Sequence, residues 1–358
     1  MRPSARGSSG SGPATALALA EGGPEPDRLT DSRTDGAANW HHRGRDDRVR
    51  TACASAQGPG NAPGNLRQQS SRPEEGQEEK EEGLSRATAR SRPALSPDPG
   101  STDRRLALAT ARYAVQAGGA LIKAAGVGFH PTESKGYGDY VTAVDRESEQ
   151  VVVRILSSVF PGLAILAEET GGSLPERGWV VDPLDGTTNF SRGFPMVGVS
   201  VALLERGEPV VGAVHAPFLG FTFTASAGEG AHDQTGRRLQ LGDPDPRQAV
   251  VATGFPFKTP DEIPRLVGTV ERVLRRVEDL RRPGAASLDL AFTAAGVFDG
   301  FFELGLKVWD IAAGALLVTE AGGLVSDWEG RVGLPKNGNI VAAPPRVHAA
   351  LLEATKGG

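Results

Sequence analysis

The stretch WVVDPLDGTTNF, residues 179–190, sets the tightest constraint on what this chain can fold into. Its first residues are apolar and β-prone, so they read as a short buried strand. Pro183 has no backbone N–H, so the strand ladder must fail just after Asp182. Gly186 permits a tight turn, and Thr187 or Thr188 can begin a helix. A strand–turn–helix unit therefore carries two carboxylates, Asp182 and Asp185, three positions apart. At neutral pH such neighbours repel each other. Asp-Pro and Asp-Gly are also common turn signals, so this stretch alone reads equally as a plain structural turn.

Other acids shift that balance. Glu168 and Glu169 end the preceding strand-like run, residues 163–169. Asp145 closes GDYVTAVD, residues 138–145, and Asp310 follows an aromatic lead in LKVWDIAAG, residues 306–314. Taken singly, each is a solvated strand end or a helix N-cap. Together with the Leu184 carbonyl they make an oxygen-rich set that suits a hard divalent cation such as Mg²⁺. A cation supplies the opposite charge that lets both aspartates stay ionised. Exposed N–H groups of Gly186 and Thr187 at a helix start suit a phosphate.

Several other chemistries are excluded. The chain has no Gly-x-x-x-x-Gly-Lys-Ser/Thr loop, and its two aspartates are spaced Asp-x-x-Asp, not the Asp-x-Asp of covalent aspartyl-phosphate enzymes. His130, His215, His232 and His348 lack metal-ligand spacing and read as surface or internally satisfied side chains. The single cysteine, Cys53, rules out a disulfide framework and a cysteine metal site, and suits a reducing compartment.

Elsewhere the pattern mixes helices and strands. Helices are predicted over residues 106–126, 145–160, 261–280, 287–296, 309–321 and 346–354. Strands are predicted over 163–169, 178–183, 249–254, 299–305, 323–328 and 339–344, with an antiparallel meander across 197–241 that turns at Arg206-Gly207-Glu208-Pro209. The fold class is α+β in layers, with two sub-domains. The loop GDPDP, residues 242–246, is the best boundary, giving sub-domains 103–241 and 242–358.

Residues 1–102 read differently. They are rich in Gly, Ser, Pro, Arg and Glu, and are expected to form a disordered low-complexity extension. Residues 1–100 hold 14 basic and 14 acidic side chains, so the net charge of −5 belongs to the rest. A mildly acidic folded part argues against non-specific nucleic-acid binding. ATALALA, residues 14–20, is too short and too closely followed by acids for a secretory signal. No apolar run approaches the roughly 18–20 residues of a membrane span. No nucleic-acid or membrane partner and a cytoplasmic location are therefore expected.

The motifs AEE (residues 167–169), WVVDPLDGTTNF, VWDIAAGALLVTEAGG (308–323) and GDYVTAVD resemble the inositol monophosphatase family of Mg²⁺-dependent, lithium-sensitive phosphatases. The resemblance spans about residues 104–356 and implies a layered α-β-α-β-α sandwich, as a homodimer. It implies that Glu168, Asp182 and the Leu184 carbonyl hold one Mg²⁺, and Asp182, Asp185 and Asp310 a second. Glu168 would help hold a weaker third. Thr187, paired with Asp145, would orient and activate the attacking water, with Glu169 just behind the ligands. Asp185 lies on the substrate side as well. The N–H groups of Gly186 and Thr187 would receive the phosphate, and Glu303 would bond a sugar or inositol hydroxyl. Gly284, Ala285 and Ala286 would lie against the substrate ring. Many relatives have Gly-Ser-Ala-Ala or Gly-Thr-Ala-Ala there; this chain has GAAS, with Ala285 at the hydroxyl position.

The expected function is hydrolysis of inositol monophosphate or a similar small polyol phosphate, by water attack without a covalent phosphoenzyme. Members of the same fold that hydrolyse fructose 1,6-bisphosphate, 3′-phosphoadenosine phosphates or histidinol phosphate are the alternatives. DGTTNF followed by Gly193-Phe194-Pro195 looks more like the inositol branch. A non-catalytic interaction protein that kept the fold is the alternative of a different class.

Overall fold

The structure, a computed structural model, describes residues 103–356 except 127, 129, 137 and 138. The expectation of disorder for residues 1–102 lies outside the described residues. Helix α1 (Arg104–Ala125) starts at Asp103, whose carboxylate accepts the N–H groups of Arg105 and Leu106. The hairpin β1 (Glu133–Gly136) and β2 (Asp139–Val141) follows. Helix α2 (Ala143–Val159) begins two residues before the predicted start, because Thr142 and Asp145 close a capping box there. Strands β3 (Ala164–Ala167) and β4 (Arg177–Asp185) lead into the short helix α3 (Thr187–Ser191). The meander β5 (Gly198–Glu205), β6 (Glu208–Ala216), β7 (Phe221–Ser226) and β8 (Gly230–His232) completes a six-stranded sheet in the order β3-β4-β5-β6-β7-β8.

A second sheet then forms. Its strands are β9 (Val250–Thr253), β10 (Asp279–Arg281), β11 (Gly300–Glu303), β12 (Leu324–Ser326) and β13 (Ile340–Ala343), in the order β10-β9-β11-β13-β12. Helices α4 (Ile263–Leu274), α5 (Ala286–Ala294), α6 (Val308–Glu320) and α7 (Pro345–Thr355) accompany it.

Alternation along the strands decides the layers. Val199, Val201 and Leu203 of β5 enter one core with Ala107, Ala111 and Val152 of α1 and α2. Ala202 and Leu204 of the same strand enter another with α5 and α6. Helices α4 and α7 cover the far face of the second sheet through Leu266, Val273, Val347 and Leu351. The result is a layered α-β-α-β-α sandwich. Because α5 and α6 lie between two sheets, their apolar residues run all the way round; residues 311–318 are all buried. Gly314 lets them touch, since a Cβ there would stand 2.4 Å from that of Leu290.

Two elements differ from the sequence expectation. The helix predicted over 261–280 ends at Leu274, and 279–281 instead join β9 in parallel as an edge strand. Val273 and Val277 both dock in the outer core, which redirects the chain onto the sheet edge. The hairpin β1–β2 was not predicted; its residues offer no apolar alternation, and its pairing slips between Ser134 and Gly136. Among the described residues no helix is long and apolar enough to cross a membrane.

Candidate active site

Strand β4 delivers Asp182 into the interior, 1% exposed, and pairs with β5 only as far as Asp182↔Ser200. The register then slips and resumes at Asp185↔Gly198. Pro183 is the cause: it cannot donate, and its carbonyl is taken instead by the Ser148 hydroxyl at 2.8 Å. Within the slip, the Leu184 N–H donates to Asp182 Oδ1 at 3.0 Å. Gly186 then turns the chain with φ of 90°. A Cβ there would lie 2.8 Å from the Met196 carbonyl oxygen, so glycine is required twice over.

The neighbouring acids arrive from other elements. Asp145, buried in the first turn of α2, accepts from the Thr142 N–H at 2.9 Å and from the Thr187 hydroxyl at 3.0 Å. Asp185 Oδ2 accepts both the N–H (2.7 Å) and the hydroxyl (2.6 Å) of Ser287, at the start of α5. Asp310, in the first turn of α6, accepts the Lys307 N–H at 2.6 Å. Glu168 leaves the end of β3, its side chain 15% exposed, with Lys258 Nζ 4.0 Å from its Oε1. Glu169 follows it, its N–H given to Glu149 at 2.8 Å.

These carboxylates act on one another. Burial first, then repulsion by Glu168, Asp185 and Asp310, raises Asp182 well above the usual carboxylate range. Burial and Asp185 push Asp310 up to about 7. Burial raises Asp185 too, against the opposing pull of the Ser287 donors and Lys258. Asp145 is raised by burial despite its hydrogen bonds. Glu303, at the end of β11, is pushed up to about 8 by burial, Asp310 and Asp185. Its carboxylate fills the space a Cβ on Gly254 would need.

Among the described residues, no three His, Cys, Asp or Glu side chains converge tightly enough to grip an ion as they stand. Asp182, Asp185 and Asp310 each turn an oxygen to a nearby N–H, and the Asp182 and Asp310 side chains also share a hydrogen bond. The donor set nonetheless fits a hard divalent cation: it is all oxygen, largely shielded from solvent with Asp182 fully buried, and mutually repelling.

The turn of Gly284, Ala285 and Ala286 faces α3 through Asn189. One side-chain nitrogen of Asn189 lies 2.8, 3.0 and 3.2 Å from the carbonyls of Met196, Pro283 and Gly284. That ties the two halves of the site together, and Gly284 supplies the φ of 87° the turn needs. Sequence reasoning missed Asn189, Ser148, Glu149, Ser287 and Lys258. Glu149 also accepts the Thr170 N–H at 2.9 Å, fixing the chain beyond Glu168. Asp289 was missed as well: it is fully buried with the Gly284 N–H as its nearest backbone donor, and burial with Glu303 raises it far above its ordinary range. Its signal was the buried LDL triplet one turn into α5, which reads as core. Two of the described histidines bond elsewhere: His215 the Phe221 carbonyl and Thr222 hydroxyl, and His348 Ser326.

The sequence model of the inositol monophosphatase family matches residues 103–357. The chain belongs to the inositol monophosphatase family. Among its relatives, the Nus factor SuhB of Vibrio cholerae is 43% identical over 225 residues, 62% of this chain and 84% of that one. The solved extragenic suppressor protein suhB of Bartonella henselae is 35% identical, with a TM-score of 0.66 over 71% of this chain and 99% of its own. The Thermotoga maritima IMPase is 31% identical, with a TM-score of 0.64 over 70% of this chain and 96% of that one. Phosphatase activity is general to this family.

Proposed function

We propose that this inositol monophosphatase family member is a Mg²⁺-dependent phosphomonoesterase acting on inositol monophosphate or a similar small polyol phosphate. The observation that carries this reading is a half-buried group of repelling carboxylates around the fully buried Asp182, from the end of β3, from β4 and from α6, beside a hydroxyl–carboxylate pair at 3.0 Å. Glu168, Asp182 and the Leu184 carbonyl would hold one ion, and Asp182, Asp185 and Asp310 a second, with Glu168 assisting a weaker third. Bound Mg²⁺ would acidify a water, neutralise the leaving alkoxide and attract a dianionic ester into an acidic cleft.

The chain's own residues do the rest. The Thr187 hydroxyl gives its proton to Asp145, so its oxygen lone pair is turned outward to accept from a water. That orients the water for in-line attack on phosphorus, while the ester oxygen leaves on the opposite side. Asp145, held above its usual range by burial, is matched to receiving a proton through Thr187. Glu169 sits behind this pair, its backbone anchored by Glu149. The N–H groups of Gly186 and Thr187 would receive phosphate oxygens. Gly284, Ala285 and Ala286 would border the substrate ring.

Glu303, held largely protonated near neutral pH by burial and its acidic neighbours, can exchange hydrogen bonds with a neutral polyol hydroxyl. Ala285 removes a hydroxyl contact, which favours tolerance among polyols over strict inositol preference. Lithium sensitivity, a homodimer and a cytoplasmic location belong to the same proposal.

The test is a panel of phosphomonoesters assayed for phosphate release with Mg²⁺, with and without Li⁺. Release from inositol monophosphate that needs Mg²⁺, and that Asp182→Asn or Asp310→Asn removes, is the expected result. Turnover like wild type in either folded variant refutes the ligand assignment. The name Nus factor carried by the Vibrio cholerae relative favours a second reading, an interaction role beside hydrolysis. That name leaves the expected absence of a nucleic-acid partner without support.

A further inference from the structure

After β9 the chain runs through Gly254-Phe255-Pro256-Phe257-Lys258 before the turn Pro260–Glu262. The loop is braced. The Phe257 N–H donates to the Phe255 carbonyl at 2.8 Å, and the Thr259 N–H to that of Pro256 at 2.9 Å. Phe255 and Phe257 meet edge-on at 5.8 Å, and the Arg282 guanidinium lies 5.3 and 5.2 Å from their ring centres. Arg282 in turn flanks Gly284, where a Cβ would come within 2.7 Å of its Nη1. The aromatic pair thus pins the loop to the Gly284 turn and leaves Lys258 on the side of Glu168.

The two cations divide the site between them. Arg282 acts on Asp289 and Glu303, at the polyol end. Lys258 acts on Asp185 and Asp310 and stands 4.0 Å from Glu168, at the phosphate end. Its side chain is 52% exposed against 15% for Glu168, so the ammonium sits at the mouth on a long flexible stem.

We propose that Lys258 is a phosphate-binding residue, whose ammonium shields Glu168 until cations bind and then turns onto a phosphate oxygen of the substrate. This rests on the phosphatase reading above. The reason is competition for Glu168: a divalent ion among the acids outbids a half-solvated ammonium for the carboxylate. The incoming phosphate then offers that ammonium a stronger, charge-assisted partner within reach of the same stem.

The experiment compares full-length wild type with Lys258→Met and Lys258→Arg in two titrations. Calorimetry with MgCl₂ alone reads cation binding; inorganic phosphate at saturating Mg²⁺ reads the anion. In Lys258→Met, phosphate binding is expected to weaken about tenfold or more, and to recover within about threefold of wild type in Lys258→Arg. Mg²⁺ binding to Lys258→Met is expected to equal wild type or to tighten up to about threefold, because a competing charge is gone. Unchanged phosphate affinity overturns the proposal, as does Mg²⁺ affinity that falls together with it. A wild type that takes up no Mg²⁺ overturns the phosphatase reading and this one with it. A wild type that binds both ligands, matched by both variants, overturns the lysine's role alone.

Discussion

Glu303→Gln tests the electrostatics of the site without touching a proposed metal ligand. Glu303 is 8% exposed, and burial with Asp310 and Asp185 lifts its carboxyl from 4.5 to about 8. A raised folded value means the folded state holds a proton that the unfolded chain releases. The stability this proton brings is full below the unfolded value and is lost as pH climbs through the folded one. Between about pH 6 and about pH 9 an unfolded glutamate stays ionised, while folded Glu303 keeps its proton over about two units of that window, up to about pH 8. At about 1.4 kcal/mol per unit, wild type loses ~3 kcal/mol relative to the glutamine variant, whose amide has the shape of the protonated acid. For a folded unit of this size that is a divergence in Tm of about 6–12 °C. Urea denaturation of both proteins in EDTA across the window measures it, and the difference cancels the titration of His215 and His348. Curves that run parallel would falsify the assignment of a buried, proton-holding Glu303.

Three further outcomes are expected. Mg²⁺ should raise Tm more at about pH 8 than at about pH 5.5, because protons compete for Asp182 and for Asp310, whose value lies near 7; an equal or larger shift in acid contradicts the shared site. Thr187→Val should lower kcat about a hundredfold or more while calorimetric Mg²⁺ binding persists; near-normal turnover removes the threonine from water activation. Asn189→Ala leaves the carbonyls of Met196, Pro283 and Gly284 without their shared donor, so it should cost about 1–3 kcal/mol in urea and raise KM more than it lowers kcat. Unchanged stability and KM in that variant refute the tie between the two turns.

The sequence by itself determined the family and the layered fold. Four ordered motifs sit at the ends of elements whose apolar spacing was readable, and the meander from β5 to β8 announced its turns through Gly and Pro. Pro183 announced the break in β4, because a missing N–H is a local property of one residue. What only the tertiary structure decided acts through space. The helix predicted over 261–280 gave way to an edge strand, since docking of Val273 and Val277 outweighs a helical pattern. Asp310 near 7 and Glu303 near 8 follow from burial among other acids, which no spacing encodes. Asn189 stood as one more letter of a motif, Ser287 as the start of a predicted helix, and Lys258 drew no reading. Each gained its place when separate segments met, because hydrogen bonds and Coulomb forces depend on distance in space and not along the chain.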